Sequence, residues 1–193
     1  MYEKYFKRLF DIVLSCILIF CLFPLMILIF SMVWLFIGFP IFAQKRPGLH
    51  GKIFTLYKFK TLYDSSSKNI AEDKRQSKFG NFLRKTGIDE FPQLFNVLGN
   101  SMSIVGPRPL LIEYLNSYTV DENKRHLVKP GITGLAQVFP NPSGEKSWSK
   151  SMELDIHYSK NVSFLLDMRI LIKTFLLILF QKKQYKDFKK FYE

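Results

Sequence analysis

The sequence predicts an α+β chain, mostly helical. An N-terminal re-entrant membrane helix-hairpin covers residues 1–40, and a small cytoplasmic domain covers residues 41–193, with a short β-hairpin, interfacial amphipathic helices and a basic C-terminal tail. Three observations predict it. No charged side chain occurs from Ile12 to Ala43, and Pro24 interrupts that run. Apolar and polar residues then alternate on both sides of Pro47-Gly48. Further on, Pro/Gly loops separate short helical patterns, the last of them strongly apolar and followed by lysines.

The uncharged run is longer than the roughly 20 residues that span a bilayer, and no small-residue cleavage site follows it, so it is not a signal peptide. A proline inside such a helix removes a backbone hydrogen bond and bends it. Both flanks are basic: Lys4, Lys7 and Arg8 precede the run, and Lys45, Arg46 and Lys52 follow it. Positive flanks stay in the cytoplasm, and here both ends qualify. A helix that enters, bends at Pro24 and returns satisfies both features. Its arms, Ile12 to Phe23 and Leu25 to Ile37, are about 18 and 20 Å long, each shorter than the hydrocarbon core of about 30 Å. A kinked single span is the alternative. Gly38 and Pro40 end the segment.

"IFAQKRPGLHGKIFTLYKFKTL" reads as two short strands joined by a turn. Tyr63 to Lys78 is polar and reads as a loop. Helices are expected at Phe79–Lys85, Phe91–Leu98, Ser149–Ser159 and Asp167–Phe180. "SIVGPRPLL" reads as a rigid loop entering a helix, "VKPGITGLAQV" as a second Pro/Gly loop and "NPSGEKSW" as a turn. The last helix is short for a span and suits either the core or the membrane interface. Its trailing Lys182, Lys183, Lys186, Lys189 and Lys190 suit an anionic leaflet or a solvated tail.

The chain's 193 residues suffice for one modest core plus an appendage. Lys and Arg number 28 against 16 acidic residues, and 48% of the residues are hydrophobic, which excludes a disordered tail. A net charge of +12 calls for an anionic partner: a membrane surface, a nucleic acid or phosphorylated substrates. No helix-turn-helix, zinc-finger or RNP-type motif supports nucleic acid, and the apolar run argues against it. Cys16 and Cys21 lie inside that run, so they form neither a disulfide framework nor a zinc site. His126 and His157 have no partner at metal spacing and read as structural.

"KTGIDEFPQLFNVL" places Asp89 and Glu90 just before a proline-opened apolar helix. Helix capping explains acidic residues there. So does a phosphoryl-transfer site, which needs an oxygen nucleophile, magnesium ligands and nearby cations. Arg108, fixed between Pro107 and Pro109, can grip phosphate bidentately. Lys58, Lys60 and Arg84 are further phosphate candidates, and Lys129 is a more remote candidate for the nucleotide.

These landmarks come in a specific order: a basic N-terminus, an apolar run with an internal proline, "QKRPG", "YKFKTL", "IDEFPQLFNVL", "SIVGPRPLL", "KPGITGLAQV" and "ELDIHYSKNVSFLLDMRIL". Over about residues 1–180 the chain resembles the monotopic bacterial sugar transferases, the polyprenyl-phosphate phosphoglycosyl transferases, and most of all the small members that start glycan assembly on a lipid carrier. The resemblance implies transfer of a phospho-sugar from a UDP-sugar to polyprenyl (undecaprenyl) phosphate, with release of UMP, at the cytoplasmic face of a bacterial inner membrane. It implies that Asp89 is a nucleophile forming an aspartyl-phosphosugar and that Glu90 is associated with Mg2+. It favours an N-acetylated amino or diacetamido sugar as donor. The alternative function is a non-enzymatic basic membrane adaptor, which would need the apolar run and the lysines but not Asp89, Glu90 or Arg108. The chain departs from the family pattern at Phe23, where a serine often precedes Pro24, at Ser101, where an aspartate is common, at Phe91 for leucine and at Leu135 for tryptophan. The departure at Ser101 implies a lost anion near the carboxylates.

Overall fold

The computed structural model describes residues 2–63, 75, 77–139 and 147–180. Most of the polar loop after Tyr63, most of the "NPSGEKSW" turn and the lysines beyond Phe180 lie outside the described residues.

A single helix, α1 (Lys7–Phe36), follows a short π-helical turn at Tyr2–Phe6. Where the pattern predicts two arms meeting at Pro24, α1 runs through the proline as one element. One stripe of α1 faces the rest of the protein: Lys7, Asp11, Ser15, Leu18, Leu22, Met26, Ile29 and Val33, at the three- and four-residue spacing of a helix face. Its first turns are polar because they meet polar partners. Lys7 Nζ donates to Asp167 Oδ2 at 2.6 Å. Asp11 Oδ1 accepts from Ser103 Oγ and the Ile104 N–H, both at 3.0 Å. The far end is apolar, and Met26, Ile29, Val33 and Ile37 cluster with Phe59 and Leu83. Both ends of α1 are therefore tied to the same body. The opposite face exposes Leu9, Val13, Ile17, Phe20, Ile27 and Leu35. By length and composition α1 is apolar enough to cross a membrane.

Strands β1 (Ile41–Pro47) and β2 (Ile53–Phe59) form the expected antiparallel hairpin. Its turn, Leu49–Gly51, puts His50 and Gly51 at φ 53° and 72°. Ser77 caps α2 (Lys78–Thr86) by accepting from the Gly80 N–H at 2.7 Å, and Gly87 closes it in the left-handed region. Helix α3 (Gln93–Leu98) docks on β2 through Asn96. The Asn96 side chain accepts from the Tyr57 N–H at 3.0 Å and donates to Thr55 O at 2.7 Å, continuing the strand's hydrogen bonding. Arg8 of α1 donates to Val97 O and Leu98 O at 2.6 and 2.9 Å, satisfying carbonyls that the end of α3 leaves open.

The two Pro/Gly loops contain strands that the sequence does not announce. β3 (Ser103–Val105) pairs in parallel with β4 (Gly131–Thr133). Three-residue, fully buried strands carry no alternation to read. Glycines make this seam possible: a Cβ on Gly131 would lie 2.1 Å from Gly106 N, and one on Gly134 would lie 2.1 Å from Gly106 O. After β3 the chain forms 3-10 turns at Ile112–Ser117 and Glu122–Leu127, not an α-helix. A short α4 (Leu135–Val138), then α5 (Trp148–Lys160) and α6 (Phe164–Phe180), complete the core around Val97, Met102, Ile104, Leu154, Tyr158 and Ile170. Leu135, the residue in place of a tryptophan, is part of that core. Helix α6 exposes Phe164, Leu165, Ile172, Phe175, Ile178 and Leu179, giving the protein a second apolar surface.

Candidate active site

Asp89 and Glu90 occupy a 3-10 turn, Ile88–Glu90, between Gly87 and Phe91-Pro92. Neither caps α3, which begins at Gln93 and has no side-chain cap. Their carboxylates turn instead to cations. Lys58 Nζ, on β2, donates to Glu90 Oε1 at 2.6 Å and stands 3.9 Å from Asp89 Oδ2. Arg108 Nη2 donates to the same Glu90 oxygen at 2.7 Å. The capping explanation is thus not the one realised.

Each member is held by its element. The Asn96 contacts fix β2 against α3, and with it Lys58 against the turn that precedes α3. Arg108 follows β3 and Gly106-Pro107, and its backbone is gripped from behind. Arg125, only 2% exposed, donates from Nη2 to Arg108 O at 2.7 Å. Asp155 Oδ2 holds Arg125 in turn, accepting from Nη2 at 2.6 Å and Nε at 3.2 Å, and Tyr118 Oη accepts from Nη1 at 3.1 Å. Nothing in the basic stretch around Arg125 distinguishes it in sequence from a surface charge.

Burial raises the pKa of Asp89; Lys58 opposes this, Glu90 adds to it, and the net shift is upward. Burial works on Glu90 in the same direction, but Arg108 and Lys58 outweigh it and bring its pKa down. Two adjacent carboxylates thus differ: Glu90 is locked as an anion between two cations, while Asp89 is buried and only loosely paired. A carboxylate in that state is an available nucleophile.

The pair opens into a cleft of about 1750 Å³. Lys58, Lys60, Arg84 and Arg108 line it together with the carboxylates. Arg84 Nε also donates to Thr61 Oγ1 at 2.8 Å. The cleft's apolar lining includes Leu18 and Leu22 of α1 and Leu171, Leu177 and Ile178 of α6. Pro24 lies outside the lining, and so does Lys129, whose ammonium donates to Asn100 Oδ1. Ser101 is also absent from the lining; it bonds to Asn96, so the aspartate missing there takes nothing from the carboxylates' immediate surroundings. His126 packs on the Tyr118 ring, and burial, aided by Arg125, lowers its pKa to about 4. The cleft also brings in Gln44, Arg46 and Gln137, which residue type alone does not single out. Only the hairpin register, with Phe42 opposite Lys58, shows that Gln44 and Arg46 share Lys58's face.

The family profile described as "Bacterial sugar transferase" matches residues 2–181. The chain belongs to that family. It is similar to an uncharacterized sugar transferase, EpsL, of Bacillus subtilis (strain 168), with 49% identity over 87% of this chain and 84% of that one. It is 40% identical to a UDP-glucose:undecaprenyl-phosphate glucose-1-phosphate transferase of Xanthomonas campestris pv. campestris, over 95% of this chain but 41% of the relative. An undecaprenyl-phosphate galactose phosphotransferase of Salmonella typhimurium (strain LT2) is 35% identical over 89% of this chain and 40% of the relative. The chain therefore spans less than half the length of these two relatives whose names state a reaction.

Proposed function

We propose that the chain moves a sugar 1-phosphate from a UDP-sugar to polyprenyl phosphate at the cytoplasmic face of a bacterial inner membrane, releasing UMP. The observation that carries this reading is the cleft itself. Its lining joins cations and a buried, loosely paired carboxylate, suited to a sugar nucleotide's phosphates, with apolar residues of α1 and α6, two helices that also expose apolar faces. A basic adaptor has no use for Asp89 buried beside Glu90.

In this scheme an Asp89 oxygen attacks the sugar-bearing phosphorus. An Asp–O–P bond forms, the P–O bond to UMP breaks, and UMP leaves with the electron pair. A phosphate oxygen of the acceptor then attacks the same phosphorus, and the Asp89 carboxylate returns. No proton need be taken from either nucleophile. Lys58 and Arg108 balance charge on the phosphates, and Glu90 keeps both cations in place. Magnesium fits this site as a proposal, because it takes one or two carboxylates and completes its shell with phosphate oxygens and water. Glu90, with Asp89 beside it, would hold the ion, which would screen phosphate charge. Among the described residues no group of three or more potential ligands exists, so substrate must complete such a site.

The test is UMP release from a panel of UDP-sugars, with and without polyprenyl phosphate. One UMP per active protein is expected from the right donor alone, with more on adding acceptor. Release only when both substrates are present would sink the covalent scheme. The resemblance to the small members favours an N-acetylated amino or diacetamido sugar, whereas the relatives' names carry glucose and galactose, so the panel includes both classes.

Acid should switch the reaction off as Asp89 protonates, at a pH above the usual aspartate range because its pKa is raised. Lys58 holds that pKa down, so Lys58→Met should move the acidic limb of the rate profile to higher pH. An unmoved limb would show that Asp89 is not the titrating group.

The attachment of both ends of α1 to one small body supports a re-entrant rather than a spanning segment. A helix whose termini both contact the same domain leaves no terminus free for the far side of a core about 30 Å thick. Cysteines placed at Glu3 and His50 in a background lacking Cys16 and Cys21 should both be labelled from the cytoplasm alone. Periplasmic labelling at Glu3 only would establish a single span.

A further inference from the structure

One cation of the cleft is unmatched. Asp89 stands 3.9 Å from Lys58, Lys58 and Arg108 share Glu90 Oε1, and Arg46 lines the same cleft as all four. Arg46 is half-buried on β1. Among the described residues no carboxylate lies within ion-pair distance of it. Nη2 donates to the neutral Gln44 Oε1 at 2.6 Å, and Nε is buried with no partner. A guanidinium with an open donor, set near a second guanidinium, is unfavourable unless an anion joins them. Burial, and then the charge of Arg108, lower the pKa of Arg46, while only Glu113 works the other way.

The strand pairing sets the scale. Lys58 faces Phe42, and Arg46 lies four residues further along the same face, about 13 Å at strand spacing. Long side chains from both positions reach into the gap between. In-line displacement sends the leaving group out on the side of the phosphorus away from its nucleophile. Lys58 is the cation paired with Asp89 and Arg46 lies that far from it along the strand face, so an anion held by Arg46 sits away from the nucleophile, where an in-line leaving group departs.

We propose that Arg46, together with Arg108, forms a subsite for the nucleoside monophosphate portion of the donor, the phosphate that leaves. This rests on the transferase reading above and adds a residue and a role to it. Gln44 holds one arm of the guanidinium, leaving the unpartnered Nε to meet a phosphate oxygen. The subsite predicts dependence on the phosphate and not on the base: UMP engages it and uridine does not. It also predicts that loss of Arg46 damages donor use and spares the acceptor.

The experiment uses the full chain in lipid nanodiscs with magnesium present. UMP and uridine binding are measured by calorimetry for the wild type, Arg46→Gln and Arg46→Lys, alongside steady-state kinetics with varied donor and varied acceptor. Arg46→Gln should weaken UMP about 10- to 100-fold, as expected for losing a charged hydrogen-bonding partner. Uridine binding should not change, the donor KM should rise, and the acceptor KM should stay at the wild-type value. Arg46→Lys, which keeps the charge but not the fork, should recover part of the loss; matching melting temperatures keep the comparison valid. UMP affinity unaltered in Arg46→Gln, or a rise in the acceptor KM instead, would overturn the subsite alone. A wild-type protein that binds neither UMP nor donor would overturn the transferase reading and the subsite with it.

Discussion

Asp89→Asn is expected to reduce sugar-phosphate transfer to background, a loss of about 10⁴-fold or more, as for removal of a nucleophile elsewhere. The variant keeps the side chain's shape and removes the atom that would form the Asp–O–P bond. Wild-type protein given donor alone should gain one phospho-sugar in mass, and Asp89→Asn should not. The same substitution should raise the melting temperature at neutral pH. Burial dominates the upward shift of the Asp89 pKa, so the fold prefers the protonated acid. The cost of ionising it is absent below the unfolded pKa, grows as pH rises from there to the folded value, and is complete above the folded value. Asn never ionises, so the variant's advantage should be largest at neutral pH and vanish in acid. Full turnover by Asp89→Asn would end the covalent scheme. A melting temperature unchanged at every pH would show that Asp89 is not strained by burial.

Much of the site is legible in the sequence because its parts are local. Asp89 and Glu90 are neighbours, Arg108 is bracketed by prolines, and Lys58 lies on a strand whose alternation is plain. What cannot be read locally is what joins them. Asn96 looks like one polar residue in an apolar helix, yet it bonds two backbone groups of β2. Asp11 looks like the last charge before a membrane segment, yet it binds β3, more than ninety residues away. β3 and β4 are too short and too buried to show a period, and their glycines signal turns as readily as a backbone seam. In sequence Arg46 reads as part of a basic flank and of "QKRPG"; the register puts it on Lys58's face. Pro24, the strongest local breaker, does not end its element: α1 is helical on both sides of it, and the stripe packed on the rest of the protein runs past it.

Breaking the Arg125–Asp155 pair should produce the largest loss of stability. Both side chains are almost fully buried, and Arg125 also supports Arg108 O and Tyr118. Asp155→Asn would leave the guanidinium charge uncompensated in the interior, at a cost of about 3–5 kcal/mol. For a chain of this size that lowers the melting temperature by on the order of 10 °C. Replacing both partners by apolar residues, Arg125→Met with Asp155→Leu, removes both buried charges and should recover most of that stability. It should not recover activity. Arg108 O would still lack the donor that fixes the Pro107-Arg108-Pro109 backbone, and the Arg108 side chain would lose its set distance to Glu90. Thermal denaturation and UMP release, measured on the single and double variants, therefore separate two roles that one substitution confounds. If stability and turnover recovered together in the double variant, Arg125 would be part of the core and nothing more. If only stability returned, Arg125 would be the residue that positions Arg108.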